Sequence, residues 1–265
     1  MAKRPPRPGF RKWVDEQTAP DWPPLPLTHI SKSLIAEDIV QCGALEVDMC
    51  AAFKRPLAYL FYGRPAYRVG GDGAIKLPSA CPTCFIFDPA LIDKALAIHA
   101  FDTGAFHARM FKHALMEEMT VDDFSLEQDT SRLNKLIHAV FGSPEDYFDG
   151  VVTDDSVDRK SDKWEFLAQS YLSLLVSRGR NEPDDRIGSI EIVFDQNIPL
   201  DPHLKAVIVP HVIWDGGNGA PWLVALSEAG VKVLPYHFVP SRNPEYYNAL
   251  IESEVRRYYR ENNWF

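Results

Sequence analysis

The sequence predicts an α+β fold, a mixed central β-sheet flanked by helices. Three observations predict it. Strand-length runs of β-branched, aromatic and apolar residues lie early in the chain ("LTHIS", "PLAYLFYG", "CFIFD") and again late ("SIEIVF", "KAVIVP", "KVLPYHFV"). Helical periodicity dominates the stretch between them. Strands, then helices, then strands is not the regular alternation of a parallel βαβ sheet.

The elements follow in order. Residues 1–24 are rich in Pro and charge, and they read as a flexible basic arm lying across the body. After "LTHIS", Leu34, Ile35, Ile39 and Val40 form a helical stripe, with Ser31 or Ser33 as its cap and Gly43 at its C-terminus. "PLAYLFYG" is an aromatic strand leading into the glycine-containing loop "RPAYRVGGDG". "FDTGAFHARMFKHAL" starts with a turn that Asp102 or Thr103 caps, and continues as a helix. A second helix ends at Gly142, and a third spans 161–178 with Trp164, Leu167, Leu174 and Leu175 near one face. "PWLVALSEAG" and the C-terminal "NPEYYNALIESEVRRYYRENNWF" are the last helices. The domain organisation expected is the arm at 1–24 and one α+β domain over 25–265, with a helical insertion at about 107–185.

At 46% hydrophobic and 25% charged, the composition is that of an ordinary soluble globular chain. No apolar run approaches the roughly 18 residues of a membrane span, and the N-terminus lacks an apolar signal core, so a cytoplasmic protein with no membrane partner is expected. The formal charge is −9, and the first twelve residues contribute five cations, so the remainder is more acidic still. An acidic body argues against broad binding along a phosphate backbone, leaving only "SRGR" at 177–180 and "RPAYR" at 64–68 as local basic patches. "CPTC" is a CxxC, but Cys42 and Cys50 are poorly spaced to supply the second pair of a zinc site, so ordinary reduced cysteines are expected. "GGDG" matches neither the dinucleotide fingerprint nor a P-loop.

Four pieces are candidates for chemistry. His29 sits in a strand just before a helix. Arg64 ends an aromatic strand and Arg68 follows it, with Tyr62 and Tyr67 beside them. That pairing suits a flat, charged ligand through stacking and bidentate contacts. "FDTGAF" is a tight turn opening a helix, able to hold an anion or simply to cap. Glu191 lies within an apolar strand, where alternation puts Ser189, Glu191 and Val193 on one face and Ile190, Ile192 and Phe194 on the other. That pattern fits a half-buried edge strand or the lining of a cleft.

In order, these pieces resemble the DarT-type ADP-ribosyltransferases, relatives of the diphtheria-toxin and PARP group. "HISKSLIAEDIVQCGAL" resembles that family's opening strand with its His-Ile-Thr signature, helix and Gly; here Ser31 stands where the family has Thr. "YLFYGRPAYR" is similar to its aromatic strand leading to Arg and Pro, and "FDTGAF" loosely to its Asp/Asn-Ala turn. "SIEIVFDQNIPLDPHLKAVIVP" is similar to its late strand with an acid, a Pro-x-x-x-Ile segment and a last strand. The likeness runs over roughly residues 27–210. It implies an ADP-ribosyltransferase-like fold, NAD as the substrate, and transfer of ADP-ribose to DNA, RNA or protein. It implies Glu191 and Arg64 as catalytic residues, with His29, Ser31, Tyr62, Tyr67 and Arg68 on the dinucleotide and no metal. It further implies a toxin or anti-phage effector, with a neutralising antitoxin or a phage-derived trigger as partner. Three other readings stand beside it. One is NAD hydrolysis on the same fold. Another is a metal-dependent hydrolase or nuclease using Asp154, Asp155, Asp158, Asp184 and Asp185. The last is a non-enzymatic nucleotide- or protein-binding module.

Overall fold

Antiparallel pairing of the early and late apolar runs builds one mixed sheet in the computed structural model, which describes residues 5–66, 73–152, 161–176 and 187–265. The strands are β1 (Leu27–Lys32), β2 (Ala44–Leu45), β3 (Asp48–Cys50), β4 (Arg55–Tyr62), β5 (Pro82–Phe87), β6 (Ala97–His99), β7 (Glu191–Phe194), β8 (Ile198–Pro199), β9 (Leu204–Pro210), β10 (Trp214–Asp215), β11 (Asn218–Gly219) and β12 (Lys232–Tyr236). The helices are α1 (Gly9–Asp15), α2 (Ser33–Cys42), α3 (Thr103–His107), α4 (Ser131–Val140), α5 (Pro144–Asp149), α6 (Phe166–Val176), α7 (Pro221–Glu228) and α8 (Pro244–Glu261). The main sheet runs β12-β9-β5-β1-β4-β7-β6, with β3 also on β4. Among the described residues only β9 and β12 pair in parallel. This is the expected α+β class with a mixed sheet between helices.

Residues directly opposite in a ladder share a face, so the registers sort the side chains into two sets. One face carries Leu27, Leu60, Phe85, Ile98 and Ile192, all in the larger core cluster. The other face carries Cys84, Ile86, Ile208 and Leu234, which pack under Tyr247, Ile251 and Val255 of α8. Glu191, Phe61 and Thr28 belong to this second face, on strands that the α8 cluster does not reach.

Three expectations are corrected. Residues 9–15 are not a flexible arm. They form α1, with Phe10, Trp13 and Val14 buried, and Phe10 meets Tyr171 edge-on at 5.0 Å. Asp15 anchors the end of α1 through a bidentate contact from Arg132, at 2.7 and 2.9 Å. In α2 the buried residues are Ser33, Ala36 and Ile39, while Leu34 and Ile35 face outward. The cap position is Lys32, and the Ser33 hydroxyl turns inward to donate to the Cys81 carbonyl at 3.0 Å. Trp164 precedes α6 and is 72% exposed, so the third helix packs through Leu167, Tyr171, Leu174 and Leu175 without it.

Gly63 ends β4 at φ +68°, and a Cβ there would stand 2.5 Å from the Leu25 Cδ1. Gly63→Ala is therefore expected to cost about 2 kcal/mol or more, from the left-handed backbone and the clash together. A urea titration followed by circular dichroism measures it, and an unchanged midpoint would contradict the packing described.

Candidate functional site

Glu191 is the first residue of β7, a strand held between β4 and β6 with all four of its residues buried. The half-buried edge strand that alternation allowed is thus replaced by an interior one. Glu191 is 2% exposed. Its Oε1 accepts from the Thr103 hydroxyl at 2.7 Å, and its Oε2 from the Thr103 amide at 3.2 Å. Thr103 opens α3, and the preceding Asp102 caps that helix by accepting from the Ala105 amide at 2.8 Å. The "FDTGAF" turn therefore carries two jobs at once, its own cap and the grip on Glu191.

Burial, reinforced by the nearby charge of Asp102, raises the Glu191 pKa well above its ordinary value; the bonds from Thr103 oppose that rise. A Thr103→Val substitution keeps the shape and deletes the hydroxyl donor. It is expected to cost about 1–3 kcal/mol and to raise the Glu191 pKa further. Chemical denaturation, with infrared titration of the carboxyl band, reads both effects.

The groups around the carboxyl come from three segments. His99, on β6, stands directly opposite Glu191. Tyr59 lies on β4, opposite Val193, and shares the Glu191 face. Burial, followed by the neighbouring Cys50, Glu191 and Asp102, raises the Tyr59 pKa strongly. Its hydroxyl is buried and lies beside the Cys50 thiol. For Cys50 burial opposes ionisation, but the Tyr59 hydroxyl, the Phe53 and Ala52 amides and Lys54 outweigh it, and the thiol pKa is lowered. Phe53 sits in the turn of the β3–β4 hairpin and stacks over His99, with ring centroids 6.4 Å apart. His107 packs edge-on against Phe53 at 5.2 Å.

The other sequence-derived residues are placed as follows. His29 and Ser31 lie on the face opposite Glu191. β1 and β4 pair only at Leu27↔Tyr62 and Thr28↔Phe61, while β1 continues to Lys32 against β5. His29 stands where the two strands part, and its Nδ1 reaches across to the Tyr59 carbonyl at 3.1 Å. Burial lowers its pKa, partly offset by that bond. The Ser31 hydroxyl is buried and meets no hydrogen-bond partner among the described residues. Tyr62 is a core residue, 1% exposed; its hydroxyl accepts from the Leu25 amide at 2.9 Å, and burial first of all pushes its pKa up to about 12. It is not placed to stack on a ligand beside Glu191. Arg64 is 4% exposed and lies near Tyr147, whose hydroxyl donates to the Tyr62 carbonyl and accepts from the Ile190 amide. Tyr147 thereby fixes the chain where it enters β7. Tyr67, Arg68, the "SRGR" patch and the acids Asp154, Asp155, Asp158, Asp184 and Asp185 fall outside the described residues. Among the described residues no group of three or more His, Cys, Asp or Glu is arranged to hold a metal ion. Nor is any described helix long and apolar enough to cross a membrane.

Sequence reasoning passed over His99 and Tyr59, and weighed Cys50 only against a zinc site. The alternation of Leu57, Tyr59 and Phe61 was a usable signal for Tyr59, because those residues must share a face. For His99 the only signal is the short "AIH", too brief to read as a strand. Comparison of the chain with protein-family models, with characterised proteins and with solved structures finds no match.

Proposed function

We propose that the protein cleaves the nicotinamide–ribose bond of NAD and transfers the ADP-ribose to an acceptor, a nucleic acid or a protein, as the DarT-type enzymes it resembles do. One observation carries this reading. Pieces of sequence far apart, the His29 strand, the aromatic strand leading to Arg64 and the Glu191 strand, become the neighbouring strands β1, β4 and β7. The remaining piece, "FDTGAF", grips the Glu191 carboxyl.

The chemistry suits that placement. Departure of nicotinamide leaves positive charge on the ribose, and a carboxylate beside it stabilises the developing oxocarbenium ion. Glu191 is buried, where such an interaction is strong, and its orientation is set in advance by Thr103. Its raised pKa is compatible with this role, because the cationic nicotinamide favours ionisation of a nearby carboxyl when NAD binds. His29 marks the parting of β1 and β4, its Nδ1 beside the Tyr59 carbonyl. Tyr62 has no part in this version, and Arg64 acts from a buried position.

The test is to incubate the full chain with NAD labelled in the adenylate half, offering single-stranded DNA, RNA or lysate protein separately. Label on one acceptor class, with an equal quantity of nicotinamide released, is the expected result. Nicotinamide release without transfer would assign the site to NAD hydrolysis. Intact NAD under every condition would remove the reading.

A further inference from the structure

We propose that the groove between α1 and the start of α6 docks a segment of a partner protein, one that carries arginine next to a bulky apolar side chain. This docking does not depend on whether the protein cleaves NAD.

Apolar surface is gathered here with no core to bury it. Trp164, Phe166 and Met116 are 72%, 67% and 57% exposed, and all three line one groove of about 550 Å³. None of them belongs to either core cluster. The buried Met119 and Leu167 extend the apolar lining. Single exposed apolar residues are ordinary, but a group of them around one concavity marks a binding surface. Trp164 does not sit on a slack loop. The Asp162 amide donates to the Glu165 Oε2 at 2.7 Å, and the Glu165 amide donates to the Asp162 carbonyl at 2.9 Å. The Gln169 side chain ties Ser161 back to α6 with bonds of 3.1 and 2.7 Å. The turn thus presents the indole in advance of any partner, which lowers the entropy cost of binding.

Charge selects the occupant. The lining has two cations, Arg7 and Lys12, against the acids Glu16, Glu118, Asp162 and Glu165. Both cations are engaged. Arg7 donates to the Asp123 carboxylate at 2.7 Å and to the Glu118 carbonyl at 2.9 Å, and the Lys12 ammonium lies 3.8 Å from the Glu16 carboxylate. Among the described residues no cation pairs with the carboxylates of Glu118, Asp162 or Glu165. The groove therefore combines apolar surface with surplus negative charge. Arginine answers both, because its guanidinium stacks on an indole face and also pairs with a carboxylate as a bidentate fork; the compact ammonium of lysine offers no such fork. A neighbouring Leu or Phe of the same segment fills the apolar part. An anionic membrane or a phosphate backbone would meet the same carboxylates and be repelled.

The experiment selects a displayed library of random peptides, about twelve residues long, on the full chain, and measures the recovered peptides by fluorescence anisotropy. The wild type is expected to enrich sequences with Arg beside Leu, Phe or Trp. Their affinity is expected to fall at least about tenfold in Trp164→Ser. It is expected to fall severalfold when Lys replaces Arg in the peptide, and again in the double variant Glu118→Gln, Asp162→Asn, where the salt dependence also flattens. Because Trp164 packs in no core cluster, Trp164→Ser is expected to melt at the wild-type temperature. No enrichment, enrichment of sequences without Arg, equal affinity in Trp164→Ser, or a markedly lower melting temperature in that variant would each overturn the proposal. Two further outcomes would reassign the groove. A dimer in ultracentrifugation that Trp164→Ser dissolves would give it to a second copy of the chain. Binding to phosphatidylcholine–phosphatidylglycerol vesicles that Trp164→Ser abolishes would give it to a membrane. Either would overturn the peptide assignment.

Discussion

Glu191→Gln is expected to abolish nicotinamide release, by at least about 100-fold, while leaving the fold intact. Glutamine has the same shape and can still accept from Thr103, so the loss would belong to the charge. The same substitution has a second, independent readout in stability. Burial and the Asp102 charge hold the Glu191 pKa above its ordinary value of 4.5, so the folded protein binds a proton that the unfolded chain releases. The resulting stabilisation is fully present below the unfolded value and disappears as pH rises through the folded one, at no more than about 1.4 kcal/mol per pH unit. The amide has no proton to lose. Thermal melts should therefore show the variant gaining on wild type as pH rises above about 4.5. A parallel pH dependence in the two proteins would mean that Glu191 is ionised in the free protein. The acid limb of the wild-type rate profile should follow the same carboxyl, with activity rising as it ionises.

Trp13→Ala is expected to cost about 3–5 kcal/mol, enough to unfold a marginally stable chain. The indole is 1% exposed, on a helix whose Phe10 packs on Tyr171 of α6 and on Phe124 at 5.4 Å. Its loss opens a cavity that the neighbouring rings, fixed by their own contacts, cannot close. Denaturant unfolding measures the cost. A change below about 1 kcal/mol would mean that the N-terminal segment is a dispensable arm after all.

The reason this segment misreads as an arm is instructive. "GFRKWVD" is flanked by prolines and charges, and so short a stretch has little helix propensity of its own. Only a groove formed by α4, α6 and the Phe124 turn makes burying Phe10, Trp13 and Val14 favourable. Leu34 and Ile35 illustrate the opposite error. Apolar character suggested the core, yet Ser33, held by the Cys81 carbonyl and the Thr83 hydroxyl, sets the rotation of α2 and turns them outward. Asp102 and Gly43 were legible as a cap and a terminator because such signals act within a single turn.

By itself, then, the order of residues determined the α+β class, the apolar strands, the Asp102 cap, the Gly43 terminator and the alternation that sets Glu191 apart from Ile190 and Ile192. These depend on periodicity and on contacts a few residues apart. Tertiary structure alone decided that β7 is interior, that Thr103 and His99 flank the carboxyl, and that His29 and Tyr62 lie on the other face. Those facts follow from strand order and register, which are set by burial summed over the whole sheet and carry no local signal.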